Sequence, residues 1–365
     1  MEPLSLYCKI DQTGTGLVGF NLLKEFSKHR KIIFHSMYPI VEANPREHYI
    51  INQAIKNIEY WRGGLPCLKI CRNTDNSCLP TIGKGKQVIL TLEKVVGFTS
   101  SELRNLRYFD FIFTTNPKIS ELLNYHQINK NRLLNLGVDR EIFNENIFLS
   151  PENDIYNDNK TKFLSIGNWG LMNGHDLLIR AFERAFVPED QVSLIIASYN
   201  PYLLKDSNKS WENMYSRSKM HSKIHVFKQK MKTQDNLANL IASVDCGVFL
   251  SRTSSFRMTP LEVLSCGKHL IATQNCGPYL TEENSYIIKI SHKQEMAYDN
   301  FIYNVETNKN WNFISEEEVE QLSHYMRKIH QKKQSGELKI NQNGISTAKN
   351  FSWERTFTEI DSVFR

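Results

Sequence analysis

Short apolar runs recur along this chain, each too brief to make a helix, and they alternate with longer segments of helical period. In the first half the runs fall at residues 4–10 (LSLYCKI), 31–35 (KIIFH), 87–92 (QVILTL) and 109–114 (FDFIFT), with helix-like segments at 48–60 and 101–108. Runs of this length without polar alternation are what strands buried on both faces look like, and such strands belong to parallel sheets covered by helices. The alternation therefore predicts α/β sheets joined by right-handed crossovers.

The pattern is broken once, at 144–160 (NENIFLSPENDIYNDNK), where Asn and Asp dominate and few residues can belong to a core. It then restarts, with strands at 163–166, 192–197, 224–227 and 246–250 and helices at 175–186 and 236–244. A chain of 365 residues exceeds the usual size of one domain. Two doubly wound Rossmann-like domains are expected, at 1–150 and 161–349, with a linker at 151–160. The tail, 350–365, carries Phe351, Trp353, Phe357, Ile360 and Phe364 at mostly helical spacing. It is expected to form a helix whose apolar stripe packs back on the first domain.

Composition excludes several classes. Apolar residues make up 41% and charged residues 23%, the balance of an ordinary globular protein. No apolar run approaches the roughly 20 residues that span a bilayer, and the start of the chain does not read as a signal peptide, so a cytoplasmic location is expected, with membrane association open but not favoured. Seven cysteines do not form a disulfide framework, and Cys67, Cys71 and Cys78 have no fourth ligand nearby for a tetrahedral metal. The net charge of +6 permits an anionic ligand without calling for nucleic acid. The most basic stretch, 205–232, has eight Lys or Arg against Asp206 and Glu212 and reads as a solvated face.

Two stretches have the form of ligand loops. Gly14, Gly16 and Gly19 follow the first strand and open a helix, where glycine allows a tight turn with N–H groups facing an anion, or serves packing alone. Residues 251–277 (SRTSSFRMTPLEVLSCGKHLIATQNCG) run from a strand through a loop into a helix carrying Glu262 and on to another strand. Open α/β sheets bind ligands beyond the carboxyl ends of their strands. His35 and Glu93 stand at strand ends as well, although a packed histidine and a solvated carboxylate are common at such positions.

Several segments together resemble the retaining glycosyltransferases of family 4: 135–143 (NLGVDREIF), 165–182 (SIGNWGLMNGHDLLIRAF), 251–278, 281–286 (TEENSY) and the terminal FSW. The resemblance implies the GT-B fold, α/β with two doubly wound Rossmann-like domains facing a central cleft. It also implies a sugar moved with retention from a nucleoside diphosphate sugar, held by the second domain, to a hydroxyl acceptor held by the first. The acceptor class, a glycan, a lipid or a small molecule, stays open.

Within that resemblance Glu262 matches the second glutamate of the family's E-x7-E motif and would bind the donor ribose, with Thr259 beside it in a family position. Ser254 stands in place of the first glutamate, Ser255 and Arg257 in place of glycines, and Asn168 and Asn173 where basic residues often hold the diphosphate. Arg257, Arg252 or Lys268 are the cations available to replace that charge. The donor contacts expected are therefore Glu262, Thr259, Ser254, Arg257, Arg252, Asn168, Asn173 and Gly16, and the acceptor contacts His35 and Glu93. No metal or other cofactor is called for. The alternative reading is a catalytically inactive GT-B-like subunit that binds a glycan or a protein.

Overall fold

The computed structural model describes residues 2–37, 40, 45–72, 83–94, 96–147, 159–198, 212–227, 231, 233–291, 293–296 and 310–365. Cys78, most of the expected linker and much of the basic stretch at 205–232 lie outside the described residues.

The chain divides into two compact units, one of Met1–Asp139 with Phe351–Arg365, the other of Arg140–Glu306 with Asn310–Asn350. The first carries β1 (Leu4–Cys8), α1 (Gly14–Ser27), β2 (Ile32–Ser36), α2 (Pro45–Lys56), β3 (Cys67–Cys71), β4 (Gln87–Thr91), α3 (Ser100–Leu106), β5 (Phe111–Thr114), α4 (Pro117–Tyr125) and β6 (Asn131–Leu133). Its sheet is ordered β2-β1-β3-β4-β5-β6, every pair parallel. Helix starts are set locally: Thr99 and Glu102 form a reciprocal capping box on α3, and Asn116 caps α4 ahead of Pro117. Ile89, Phe109, Ile112, Ile119 and Leu123 close one side of the core.

β3 is a strand that the apolar-run pattern does not predict. Lys69 interrupts its apolar run, yet all five residues are buried, because the strand pairs with β1 on one side and β4 on the other. Cys67 and Cys71 are thus strand residues in the sheet, and Cys8, Cys67, Cys71, Cys246, Cys266 and Cys276 are all buried.

The second unit contains β7 (Thr161–Ile166), α5 (His175–Ala185), β8 (Val192–Ala197), β9 (Ile224–Phe227), α6 (Gln234–Ala242), β10 (Cys246–Phe249), α7 (Met258–Ser265), β11 (His269–Thr273) and β12 (Tyr286–Ile288). A two-stranded antiparallel ribbon, β13 (Gln294–Met296) with β14 (Asn310–Asn312), and the helices α8 (Glu316–Gln334) and α9 (Gln342–Ala348) follow. Its sheet order is β12-β11-β10-β7-β8-β9, again all parallel. Phe163, Phe182 and Phe186 pack with Leu322, Met326 and Ile329 of α8 in its core. The direction of strand addition reverses between the neighbours β7 and β10, the switch point at whose carboxyl edge open α/β sheets bind ligands.

The change from one unit to the other falls at Asp139 and Arg140, earlier than residue 150. Arg140 donates to Ser265 Oγ at 3.1 Å, and Ser265 Oγ donates to the Phe143 carbonyl at 2.6 Å, which fastens this segment to α7. The last helix, α10 (Trp353–Asp361), groups with the first unit. Phe357 meets Phe26 of α1 edge-on at 4.8 Å and stacks on His29 at 4.3 Å.

Candidate functional site

The loops after β7 and β10 are tied to each other by two arginines. Arg252 places both guanidinium nitrogens on Asp176, at 2.9 Å each, and also donates to the Leu171 carbonyl. Arg257 donates to Asn173 Oδ1 at 2.8 Å and to Thr253 Oγ1 at 3.0 Å. Asn173 in turn donates to the Asn168 carbonyl at 2.6 Å, which folds the β7 loop back on itself. The loop can come this close because Gly174 takes φ +66°, and a Cβ there would lie 2.4 Å from the Leu250 carbonyl oxygen.

Glu262 is the fifth residue of α7, beyond the first turn, so the helix dipole does not account for it. Only 6% of it is exposed, and its Oε2 has no hydrogen-bond partner. Burial raises its pKa to about 7, while a hydrogen bond with the Thr259 side chain acts in the other direction. Arg257 is the N-cap of α7 and provides no side-chain cap for the helix start.

Two further polar groups, neither among the expected donor contacts, fall in the same stretch. Ser255 Oγ and Asn275 Oδ1 are buried without partners, and the Ser255 amide donates to the Asn275 carbonyl at 3.3 Å. Asn275 is held by its Nδ2, which donates to the Ser251 carbonyl at 2.9 Å. Buried polar atoms normally find partners, so orphaned oxygens on Glu262, Ser255 and Asn275 in one short region make it the candidate ligand site. Both residues fall within 251–277, but a Ser or an Asn in a sequence does not foretell an unpaired oxygen.

His175, read from the sequence only as the start of a helix, is wholly buried, with Trp169 edge-on at 4.9 Å. Burial, the largest effect, lowers its pKa to about 4; Asp176 opposes this and Arg257 adds to it. The ring is neutral at physiological pH.

The expected residues divide between the two units. Glu262, Thr259, Ser254, Arg257, Arg252, Asn168 and Asn173 all lie in the second, around the carboxyl edge of its sheet; Ser254 is 9% exposed and Asn168 is exposed. Arg252 is tied internally, its charge met by Asp176. Lys268 precedes β11 at the amino edge and donates to the Ala242 carbonyl at 2.5 Å.

Gly16, His35 and Glu93 belong to the first unit. Gly16 is a packing glycine: a Cβ would lie 2.2 Å from Asp11 Oδ1, and its N–H is taken by Thr13 Oγ1 at 3.4 Å. His35 stacks on Tyr7 at 4.1 Å with Nε2 buried and unpartnered, and burial lowers its pKa. Glu93 is 1% exposed, which overturns the solvated-carboxylate reading, and its Oε1 accepts from the Lys94 amide at 3.0 Å. Among the described residues no group of three or more His, Cys, Asp or Glu is placed to hold a metal ion, and no helix is long and apolar enough to cross a membrane.

Residues 160–299 match the family model for Glycosyl transferases group 1. A comparison with curated proteins finds no match in sequence. Among solved structures, HepE of Anabaena in complex with UDP and glucose is similar at 12% identity and TM-score 0.67, over 100% of this chain and 99% of that one. Sucrose-phosphate synthase of Thermosynechococcus elongatus is similar at 13% identity and TM-score 0.67, over 100% and 98%. WaaG, a glycosyltransferase involved in lipopolysaccharide biosynthesis, is similar at 13% identity and TM-score 0.64, over 99% and 98%. At such identities the likeness is one of fold, and that fold is GT-B, with two parallel-sheet Rossmann-like domains.

Proposed function

We propose that this protein transfers a sugar from a nucleoside diphosphate sugar to a hydroxyl acceptor with retention, and that its second unit holds the donor. The observation that carries the reading is Glu262, whose buried Oε2 has no partner at the carboxyl edge of a sheet with its switch point alongside. A carboxylate there can accept hydrogen bonds from the vicinal hydroxyls of a ribose. The family match over 160–299 and the GT-B neighbours, one of them solved with UDP and glucose, support it.

The reaction asks little of the protein beyond position and charge. As the bond from the anomeric carbon to phosphate breaks, its electron pair goes to the leaving phosphate oxygen. That oxygen can take the proton of the acceptor hydroxyl while the new glycosidic bond forms on the same face. No side-chain base is required, and protein donors can hold the diphosphate without a metal. In this reading His35 and Glu93, at strand ends of the first sheet, are acceptor contacts.

A panel of UDP-, GDP- and ADP-sugars, assayed for nucleotide release with hydroxyl acceptors present, tests the proposal. At least one donor should turn over, and Glu262→Ala should lose most of the preference for a ribonucleoside diphosphate over its 2′-deoxy form. Silence across the panel with no thermal shift would remove the reading. A second reading, a binding subunit without turnover, draws on the neutral Ser254, Asn168 and Asn173 and predicts thermal shifts with no nucleotide release.

A further inference from the structure

The segments that leave β10 and β11 are joined by a network of buried hydroxyls, in which Ser251 and Thr253 are 1% exposed and Thr273 is 0% exposed. The Ser251 amide donates to Thr273 Oγ1 at 3.0 Å, Thr273 Oγ1 donates to the Ser251 carbonyl at 3.2 Å, and Ser251 Oγ donates to the Thr253 carbonyl at 2.8 Å. Asn275 extends the network: its Nδ2 donates to the same Ser251 carbonyl, and its own carbonyl accepts from the Ser255 amide. All three network hydroxyls have protein partners. Two oxygens at the edge do not, Ser255 Oγ and Asn275 Oδ1. A buried network satisfied everywhere but at two neighbouring residues is unusual, because an unpaired polar atom is costly in such surroundings.

Resting on the reading of the second unit as a donor site, we infer that Ser255 Oγ and Asn275 Oδ1 form a neutral subsite that selects the transferred sugar by its hydroxyls. The chemistry of the two oxygens decides what they can receive. An amide oxygen only accepts, so Oδ1 calls for a hydrogen-bond donor and has nothing to offer a phosphate oxygen. The serine hydroxyl both gives and accepts, as a sugar hydroxyl does. The amide cannot turn to present its nitrogen instead, because the flip would set its oxygen against the Ser251 carbonyl. In the donor reading the ribose hydroxyls belong to Glu262, which leaves those of the sugar for this pair.

Position supports this assignment. Ser255, 3% exposed, has a side chain where the glycosyltransferases that the sequence resembles have glycine, so its hydroxyl is an addition of this chain. Asn275 is half-buried on a short turn, Gln274–Cys276, that follows β11 at the carboxyl edge and begins with an exposed residue. The pair therefore lies close beneath the surface of that edge and not in the core between sheet and helices. A hydroxyl without a partner destabilises the free protein, and that gives the subsite a signature: truncating Ser255 relieves the unliganded fold and weakens the complex.

The test uses whichever of UDP-glucose, UDP-N-acetylglucosamine, GDP-mannose and ADP-glucose gives the largest thermal shift, and compares it with its nucleoside diphosphate by titration calorimetry. Ser255→Ala should weaken the nucleotide sugar about 3- to 10-fold, the scale of one neutral hydrogen bond, and leave the diphosphate within about 1.5-fold. Its melting temperature without ligand should be unchanged or higher. Asn275→Ala also loses the tie to Ser251, so it should melt lower, and its readout is the same selective loss of the nucleotide sugar. One monodeoxy analogue of the sugar should bind wild-type protein as weakly as the parent binds Ser255→Ala, and should lose nothing further on that variant. Equal losses for diphosphate and nucleotide sugar, a loss that no monodeoxy analogue reproduces, or no loss at all would overturn the inference while leaving the donor site intact. Failure of every nucleotide sugar and every diphosphate to bind wild-type protein would remove the donor reading and the inference together.

Discussion

Glu262 is a carboxyl group whose surroundings favour its neutral form. Its folded pKa, about 7, stands above the ordinary carboxyl value of 4.5, so the native state holds a proton that the unfolded chain has lost between those limits. Stability from this group is fully present below pH 4.5 and is lost as pH rises through 7. Cys266, whose pKa burial raises to about 12, and Tyr279, which burial also raises, sense the Glu262 charge but stay neutral across that range. Glu262→Gln should therefore be more stable than wild type above pH 7, by up to about 3 kcal/mol, and equal to it at pH 4, as denaturant melts would show. Ligand linkage has the opposite slope. Ribose hydroxyls bind the ionised form best, so nucleoside diphosphate affinity should rise with pH up to about 7 and then level, and Glu262→Gln should flatten the curve.

Among the elements, loops and glycines decide how closely strands and helices approach. Gly14 and Gly16 look alike in the sequence and open the same helix, yet a Cβ on Gly14 meets nothing within 4 Å while one on Gly16 collides with Asp11. Gly14→Ala should leave stability unchanged or raise it by up to about 1 kcal/mol, through reduced freedom of the unfolded chain. Gly16→Ala and Gly174→Ala should each lower it by more than about 1 kcal/mol, the latter because positive φ is added to the clash with Leu250. Thermal melts of the three variants would check the ranking. The apolar run at 192–197 coincides with β8, all six of whose residues are buried, and the run at 224–227 with the edge strand β9, in which Ile224 alone is buried. β3 escaped the apolar-run pattern because one lysine broke it, and only pairing on both edges reveals it as a strand.

At the scale of the whole molecule, the tail belongs to the unit in which the chain began. Arg30 and Asp361 form an ion pair at 3.2 Å with side chains 5% and 1% exposed, which joins the end of α1 to α10. Breaking such a pair strands a buried charge, so Asp361→Ala should cost about 3–5 kcal/mol. Replacing both partners by apolar residues of similar size should cost much less, and denaturant melts of the single and double variants would distinguish the two cases.

The sequence by itself determined that this chain builds two parallel α/β sheets, because strand burial and helical period are written in local residue order. It also put Glu262 and Arg257 in one stretch, 251–277, that runs from a strand through a loop into a helix. Tertiary structure decided the rest, because partners are set by neighbours distant in sequence. Arg252 was matched to Asp176, Lys268 was turned to the amino edge, Gly16 was committed to packing, and Arg257 was brought to Asn173. Local patterns carry which residues are charged; which charge is already answered depends on contacts that only the folded chain makes.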